Sequence, residues 1–239
     1  MIHRRAVSAP SRAATHRHAP FLSVELLLEP YRDQLARWPG TGRHIMAQFD
    51  HESVVVYQAY RPSIGRYAAA HGYFGGEFSL ARMSWIKPNF LWMMYRSGWG
   101  TKEGQEVTLA VRLRRAAFDQ ILCRAVHSAF VPGTYASRDE WSRAVADSSV
   151  RLQWDPDHDP AGNRMERRAI QLGLRGGVLE RYAREWILGV EDISGLVTVQ
   201  RTHAQAGPPY ERLLTPREDP YPVTEPEVAS RLGIDPLPL

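Results

Sequence analysis

The sequence predicts a domain of the α+β class. Three observations carry this. Segments rich in Val and Tyr that read as strands alternate irregularly with helical segments, long helices are too few for a doubly wound parallel sheet, and no GxGxxG or GxxxxGK(S/T) phosphate loop follows a strand. At 239 residues, 44% hydrophobic, the chain can bury one large core and carry appendages.

Residues 1–20 carry Arg4, Arg5, Arg12 and Arg17 with no acid, which predicts a disordered basic leader; a transit peptide shares this composition, and the apolar core of a secretory signal is missing. Residues 21–42 are expected to form a helical appendage, with an amphipathic helix over Phe21–Trp38 interrupted near Pro30 and ended by Pro39 and Gly40. The main α+β domain, 43–204, opens with a strand over Ser53–Tyr60. Ser63 is a candidate N-cap for a helix over Ile64–His71, closed by Gly72. A strand over Glu106–Leu113, helices over Arg115–Ser128 and Arg138–Ala146, and a short strand over Val150–Trp154 follow. The run DPDHDPAGN reads as a turn, Arg168–Leu174 as a strand and Val178–Leu188 as an amphipathic helix. Residues 205–239 hold eight of the seventeen prolines and are expected to be an extended tail with one helical turn after Thr224.

A formal charge of +4 and a pI near 9.4 favour anionic partners. The single Cys123 excludes an internal disulfide framework, and its setting, FDQILCRAV, reads as the buried face of a helix. No run approaches the length of a membrane span, and the expected location is the cytoplasm. The GxSxG and HExxH signatures of common hydrolases and zinc proteases are absent.

Candidate chemistry concentrates in Arg82–Gln105, RMSWIKPNFLWMMYRSGWGTKEGQ. It holds Trp85, Trp92 and Trp99 of the seven tryptophans, and of 30 basic residues only Lys87 and Lys102, both here, are lysines. Pro88 suits a first helical turn, and Asn89–Arg96 reads as a buried helix ending near Gly98. Trp92, Met93 and Met94 are expected to pack in the core. Arg82, Lys87, Arg96 and Lys102 beside such a helix need carboxylate partners or an anionic ligand. In DPDHDP, Asp155, Asp157 and Asp159 could seat a hard cation, but the run lacks the glycine and terminal Glu of a calcium loop and an ordinary solvated turn is the simpler reading. His71 and His127 are expected near helix ends in capping roles.

The strings VYQAYRPSIGRYAAAHGYF, RMSWIKPNFLWMMYRSGWGTK, VRLQWDP and RRAIQLGL resemble domain-of-unknown-function family 4291, over roughly Arg43 to Ile193 and the YPV of the tail. The family name implies no activity. The first string also resembles the opening of ADP-ribosyltransferases, where a strand ends in a His or Arg that grips NAD and leads into a helix closed by glycine. Gln58 stands at that position. QLGLRGGVLERY is similar to the strand of that superfamily that bears the catalytic Glu, and Gln171 falls there, with Glu166 the nearest acid upstream. An amide hydrogen-bonds but offers no charge, so the resemblance implies that another acid, Glu166 or Glu106, takes that part, or that the chemistry differs.

The resemblance implies a split mixed or antiparallel sheet flanked by helices, NAD as cofactor, and transferase chemistry on nucleic acid or another acceptor. Gln58, Gln171 and Glu166 would be catalytic. Tyr60, Arg82, Trp85, Lys87, Arg96, Trp99 and Lys102 would bind the cofactor, cations on phosphate and aromatics on rings. No metal is expected. The second reading is a non-catalytic RNA- or DNA-binding module with an aromatic and basic groove.

Overall fold

The computed structural model describes residues 24–237, so the basic leader lies outside the described residues. In chain order the elements are β1 (Leu28–Pro30), α1 (Tyr31–Leu35), β2 (Met46–Ala47), β3 (Ser53–Tyr60), α2 (Pro62–His71), β4 (Ser84–Ile86), α3 (Phe90–Ser97), β5 (Val107–Arg114), α4 (Arg115–Arg124) and β6 (Ala125–His127). They continue with α5 (Arg138–Asp147), β7 (Val150–His158), β8 (Arg164–Leu174), α6 (Gly176–Arg184), β9 (Ile187–Asp192), α7 (Ser194–Gln205), β10 (Leu214–Pro216), β11 (Asp219–Pro220) and α8 (Pro226–Leu232).

Two sheets form the frame, giving the expected α+β fold with a split, mixed sheet. One has the order β3-β5-β9, all antiparallel; the other has the order β4-β8-β7-β6, antiparallel except for the parallel β6-β7 pair. They meet where Tyr57 and Lys87 exchange backbone hydrogen bonds of 2.7 and 3.2 Å. Beyond that bridge β3 and β4 part, and the opening between them becomes the candidate site.

The two-residue period of β3 and β5 builds two cores, one on each face. Val54, Val56, Leu109 and Val111 pack with Leu152 and Ile170 of the second sheet and with Phe118 and Leu179 of α4 and α6. Val55, Tyr57 and Ala110 face the other way, onto Phe90, Met93 and Met94 of α3 and Val197 of α7. Gly65 lets α2 lie directly on β5, since a Cβ there would stand 2.4 Å from Val107 Cγ1.

Several local expectations are corrected. The helix over Phe21–Trp38 is, within the described residues, a strand and a five-residue helix. It is no appendage: β1 pairs with β10, and Tyr31 and Trp38 are buried. Pro62, at the first turn of α2, starts that helix, while the Ser63 hydroxyl bonds Glu77 at 2.7 Å instead of capping. α4 stops at Arg124, and Cys123 is exposed. Residues Asp155–His158 of the expected turn belong to β7, which is long enough to carry an acid into the site. The helical turn expected after Thr224 is present as α8, whose Arg231 donates to the carbonyls of Leu122, Cys123 and Ala125 at the end of α4. No helix of the described residues is long and apolar enough to cross a membrane.

Candidate functional site

A cavity of about 660 Å³ lies where the two sheets part. β3 brings Gln58 and Tyr60 to it, β4 brings Ser84 and Trp85, and α3 presents Trp92 and Arg96, one turn apart. Opposite, Gln153 and Asp155 alternate onto the same face of β7, and Gln171 stands directly across from Gln153 on β8. A second cavity, of about 460 Å³, adjoins the first and shares Tyr60, Arg82, Met83 and Ser84 with it.

The start of α3 is held from two sides. Asn89, in extended conformation, is the N-cap and accepts the Trp92 N–H at 2.7 Å. Glu218, from the tail, accepts the Phe90 N–H at 2.5 Å and the Asn89 amide at 2.8 Å. Burial pushes the Glu218 carboxyl well above its ordinary pKa, against the lowering effect of these donors. Its own backbone is fixed by Gln34 and Trp38, whose side chains bond its N–H and C=O at 2.8 and 2.7 Å.

Gln58 is buried, and its amide is taken up internally. Nε2 lies 2.7 Å from the Tyr60 hydroxyl, 2.9 Å from Ser84 Oγ and 3.2 Å from the Trp85 carbonyl, while the buried Tyr182 hydroxyl donates to Oε1 at 2.5 Å. The Tyr60 and Ser84 hydroxyls are 2.6 Å apart. Gln58 therefore stitches the parting strands by side chain where backbone pairing stops, and positions Tyr60 and Ser84.

Asp155 accepts from Gln153 Nε2 at 2.8 Å and from Gln171 Nε2 at 2.7 Å. Both amides are thereby held at the cavity wall. Lys87 is 5% exposed, and among the described residues no carboxylate comes within ion-pair distance of it. Burial, then the neighbouring Arg96, push its pKa down to about 8, with Asp155 pulling the other way. Arg82 and Arg96, both exposed, likewise form no ion pair among the described residues.

Of the residues expected in a site, Gln58, Tyr60, Arg82, Trp85, Lys87, Arg96 and Gln171 all line this cavity. Three do not. Glu166 is exposed and, five residues from Gln171 on β8, has the opposite side-chain parity. Trp99 borders a different cavity and donates its indole N–H to the Pro160 carbonyl at 3.3 Å. Lys102 is exposed on the loop beyond it. Glu106, the other acid weighed for the charged role, is exposed and accepts the Gly104 N–H at 2.8 Å.

The sequence reading missed Ser84, Gln153 and Asp155 as site residues. A signal existed for two of them, because Gln153 and Asp155 keep the strand alternation of VRLQWDP. The three aspartates do not converge. Asp155 faces the cavity, Asp157 is buried against Arg167 at 2.5 Å, and Asp159 accepts from Asn163 at 2.8 and 2.9 Å. Among the described residues no group of three or more His, Cys, Asp or Glu side chains is placed to hold a metal. His127, on β6 just past the end of α4, bonds the Arg231 carbonyl in the last turn of α8 at 2.9 Å, a helix-end contact of the kind expected.

Fold and site together define an α+β protein with a polar cavity at the split of its sheet, cationic on one side and amide-rich on the other. The chain belongs to the family described as Domain of unknown function (DUF4291), whose model matches residues 44–221. No curated protein matches it.

Proposed function

We propose that the protein is a transferase that binds NAD or a related nucleotide in this cavity, as its resemblance to ADP-ribosyltransferases implies. The observation that carries the reading is the set of Arg82, Lys87 and Arg96, three cations on one side of a cavity with no ion-pair partner among the described residues. Buried Lys87, without a carboxylate, calls for an anion from outside; a phosphate matches it, and the exposed Arg82 and Arg96 on the same wall can share its charge. The two adjoining cavities favour an elongated ligand. A dinucleotide can place one ring system in each and its diphosphate at the shared wall, where Arg82 stands.

Asp155 is the acid that Gln171 lacks. It lies against Gln171 in the cavity, so the pair supplies charge and hydrogen bonding where a single Glu would. In the proposed reaction the glycosidic C1′–N bond of NAD breaks with its electron pair leaving on nicotinamide. An O–H or N–H of nucleic acid or another acceptor attacks C1′, and its proton passes to solvent. Asp155 steadies the positive charge that develops on the ribose.

Calorimetric titration with NAD, ATP and a single-stranded oligonucleotide at two salt concentrations tests this. Saturable NAD binding with weak salt dependence supports the reading, and Asp155→Asn should keep binding while losing nicotinamide release. Oligonucleotide binding with a steep salt slope and no NAD binding would replace it with a nucleic-acid module.

A further inference from the structure

We propose that Lys87 is a nucleophilic amine that forms an imine with the carbonyl carbon of a phosphate-bearing aldehyde. The inference uses the cavity as an anion site and does not depend on which nucleotide fills it.

Four features place the amine for this chemistry. Its backbone N–H and C=O are both bonded to Tyr57 at the junction of the sheets, so the side chain springs from a fixed point. The side chain is nearly buried yet lines the cavity, and among the described residues no carboxylate neutralises it. The charged and titratable groups around it are Arg96 from α3, Asp155 from β7, Tyr60 from β3 and Arg82 from the segment before β4. Burial and Arg96 lower its pKa to about 8, and Asp155 opposes them only in part. An amine shifted in this direction is unprotonated near neutral pH far more often than an ordinary lysine. A lysine desolvated beside another cation is a recognised way to make an amine a nucleophile near neutral pH.

The planar guanidinium forks of Arg82 and Arg96 suit the phosphate, which leaves the amine for the carbonyl. The Nζ lone pair adds to the carbonyl carbon, and the oxygen takes up a proton to give a carbinolamine. Loss of that hydroxyl as water, with a proton from nitrogen going to solvent, leaves the C=N bond. Amine and aldehyde become imine and water, with no change of oxidation state.

The test exploits the lysine count. In a Lys102→Arg variant Lys87 is the only lysine, and peptide mapping separates it from the α-amino group. The variant is incubated with pyridoxal 5′-phosphate at pH 7.5, reduced with borohydride and mapped by mass spectrometry. One phosphopyridoxyl group on Lys87 is expected, with a labelling rate that rises through a midpoint near pH 8. Labelling by pyridoxal should be at least about tenfold slower, the minimum for loss of one charge-assisted phosphate contact. The Lys87→Arg variant should lose the adduct. An unlabelled Lys87, in a protein whose Lys102 labels in the parent chain, would overturn the proposal. Equal labelling by pyridoxal would overturn its phosphate part and the anion reading of the cavity with it. Protection by NAD reports separately on the nucleotide reading: without protection that reading fails while the imine stands.

Discussion

Two buried cations sit in different regions of the molecule and are treated in opposite ways. Arg167, 1% exposed, is fully answered: Asp157 accepts from Nε and Nη2 at 2.8 and 2.5 Å, the Pro39 carbonyl accepts from Nη1 at 2.8 Å, and the Trp38 ring lies 4.8 Å from the guanidinium carbon. Lys87, nearly as buried, meets another cation and no carboxylate at ion-pair distance. The first arrangement locks the N-terminal segment to β7 and β8. The second leaves a charge unanswered inside an open cavity, which costs stability and is retained where a ligand completes it. Burial alone does not separate an answered charge from an unanswered one, whereas the partner inventory does.

The contrast can be broken at either end. The largest effect is expected for Arg167→Leu, which strands Asp157 as an unpaired buried carboxylate: a loss of about 3–5 kcal/mol in denaturant unfolding, with Asp157→Ala of similar size. Lys87→Met should do the reverse. The shift from 10.5 to about 8 corresponds to a burial penalty on the order of 3 kcal/mol at pH 7, so this variant should melt higher than the parent while losing the proposed phosphate ligand. Lower stability together with intact binding would show that Lys87 is a packing residue.

The same penalty should be visible as a pH dependence in the parent. Between about pH 8 and 10.5 the unfolded chain holds the Lys87 proton and the folded one has released it, so this group's contribution to stability rises with pH across that window. Below about pH 8 both states are protonated and the penalty stands in full. The rise should vanish in Lys87→Met. Smaller still is Arg96→Ala, expected to weaken phosphate-ligand binding about ten- to hundredfold without loss of fold. Lys102→Ala, in the exposed loop, should change neither melting nor affinity measurably, and a tenfold loss would mean that the ligand extends beyond the cavity.

Much of the centre of the fold was readable. β3 spans the residues that its Val and Tyr pattern marks, and α3 follows Asn89 as its apolar run predicts. Gln58, Lys87 and Gln171, far apart in sequence, meet because strand ends and helix starts converge at the split. Trp99 and Lys102 were misplaced because density of chemistry along the chain is not proximity in space. Gly98, Trp99 and Gly100 all take positive φ, 58°, 55° and 73°, and this left-handed run swings the loop away from the cavity. Asp155 was hidden by its prolines. β6 pairs with β7 only as far as Leu152, so one side of Pro156 faces no strand and the missing N–H disrupts no ladder there. The terminal segments gave no local signal, because β1 and β2 find their partners only at β10 and β11. Cys123 was misjudged for a simpler reason: Phe118, Ile121 and Leu122 define the inward face of α4, and the next residue falls beside it.

The grip of Glu218 on the start of α3 gives the cavity a place in time. During synthesis every side chain that lines it has left the ribosome once Gln171 has emerged, yet the carboxyl that completes the first turn of α3 follows only some fifty residues later. The pocket is therefore finished only after all of its lining has been made. A nascent chain, or one cut short before Glu218, carries the whole set of binding groups but not the brace that aims Trp92 and Arg96.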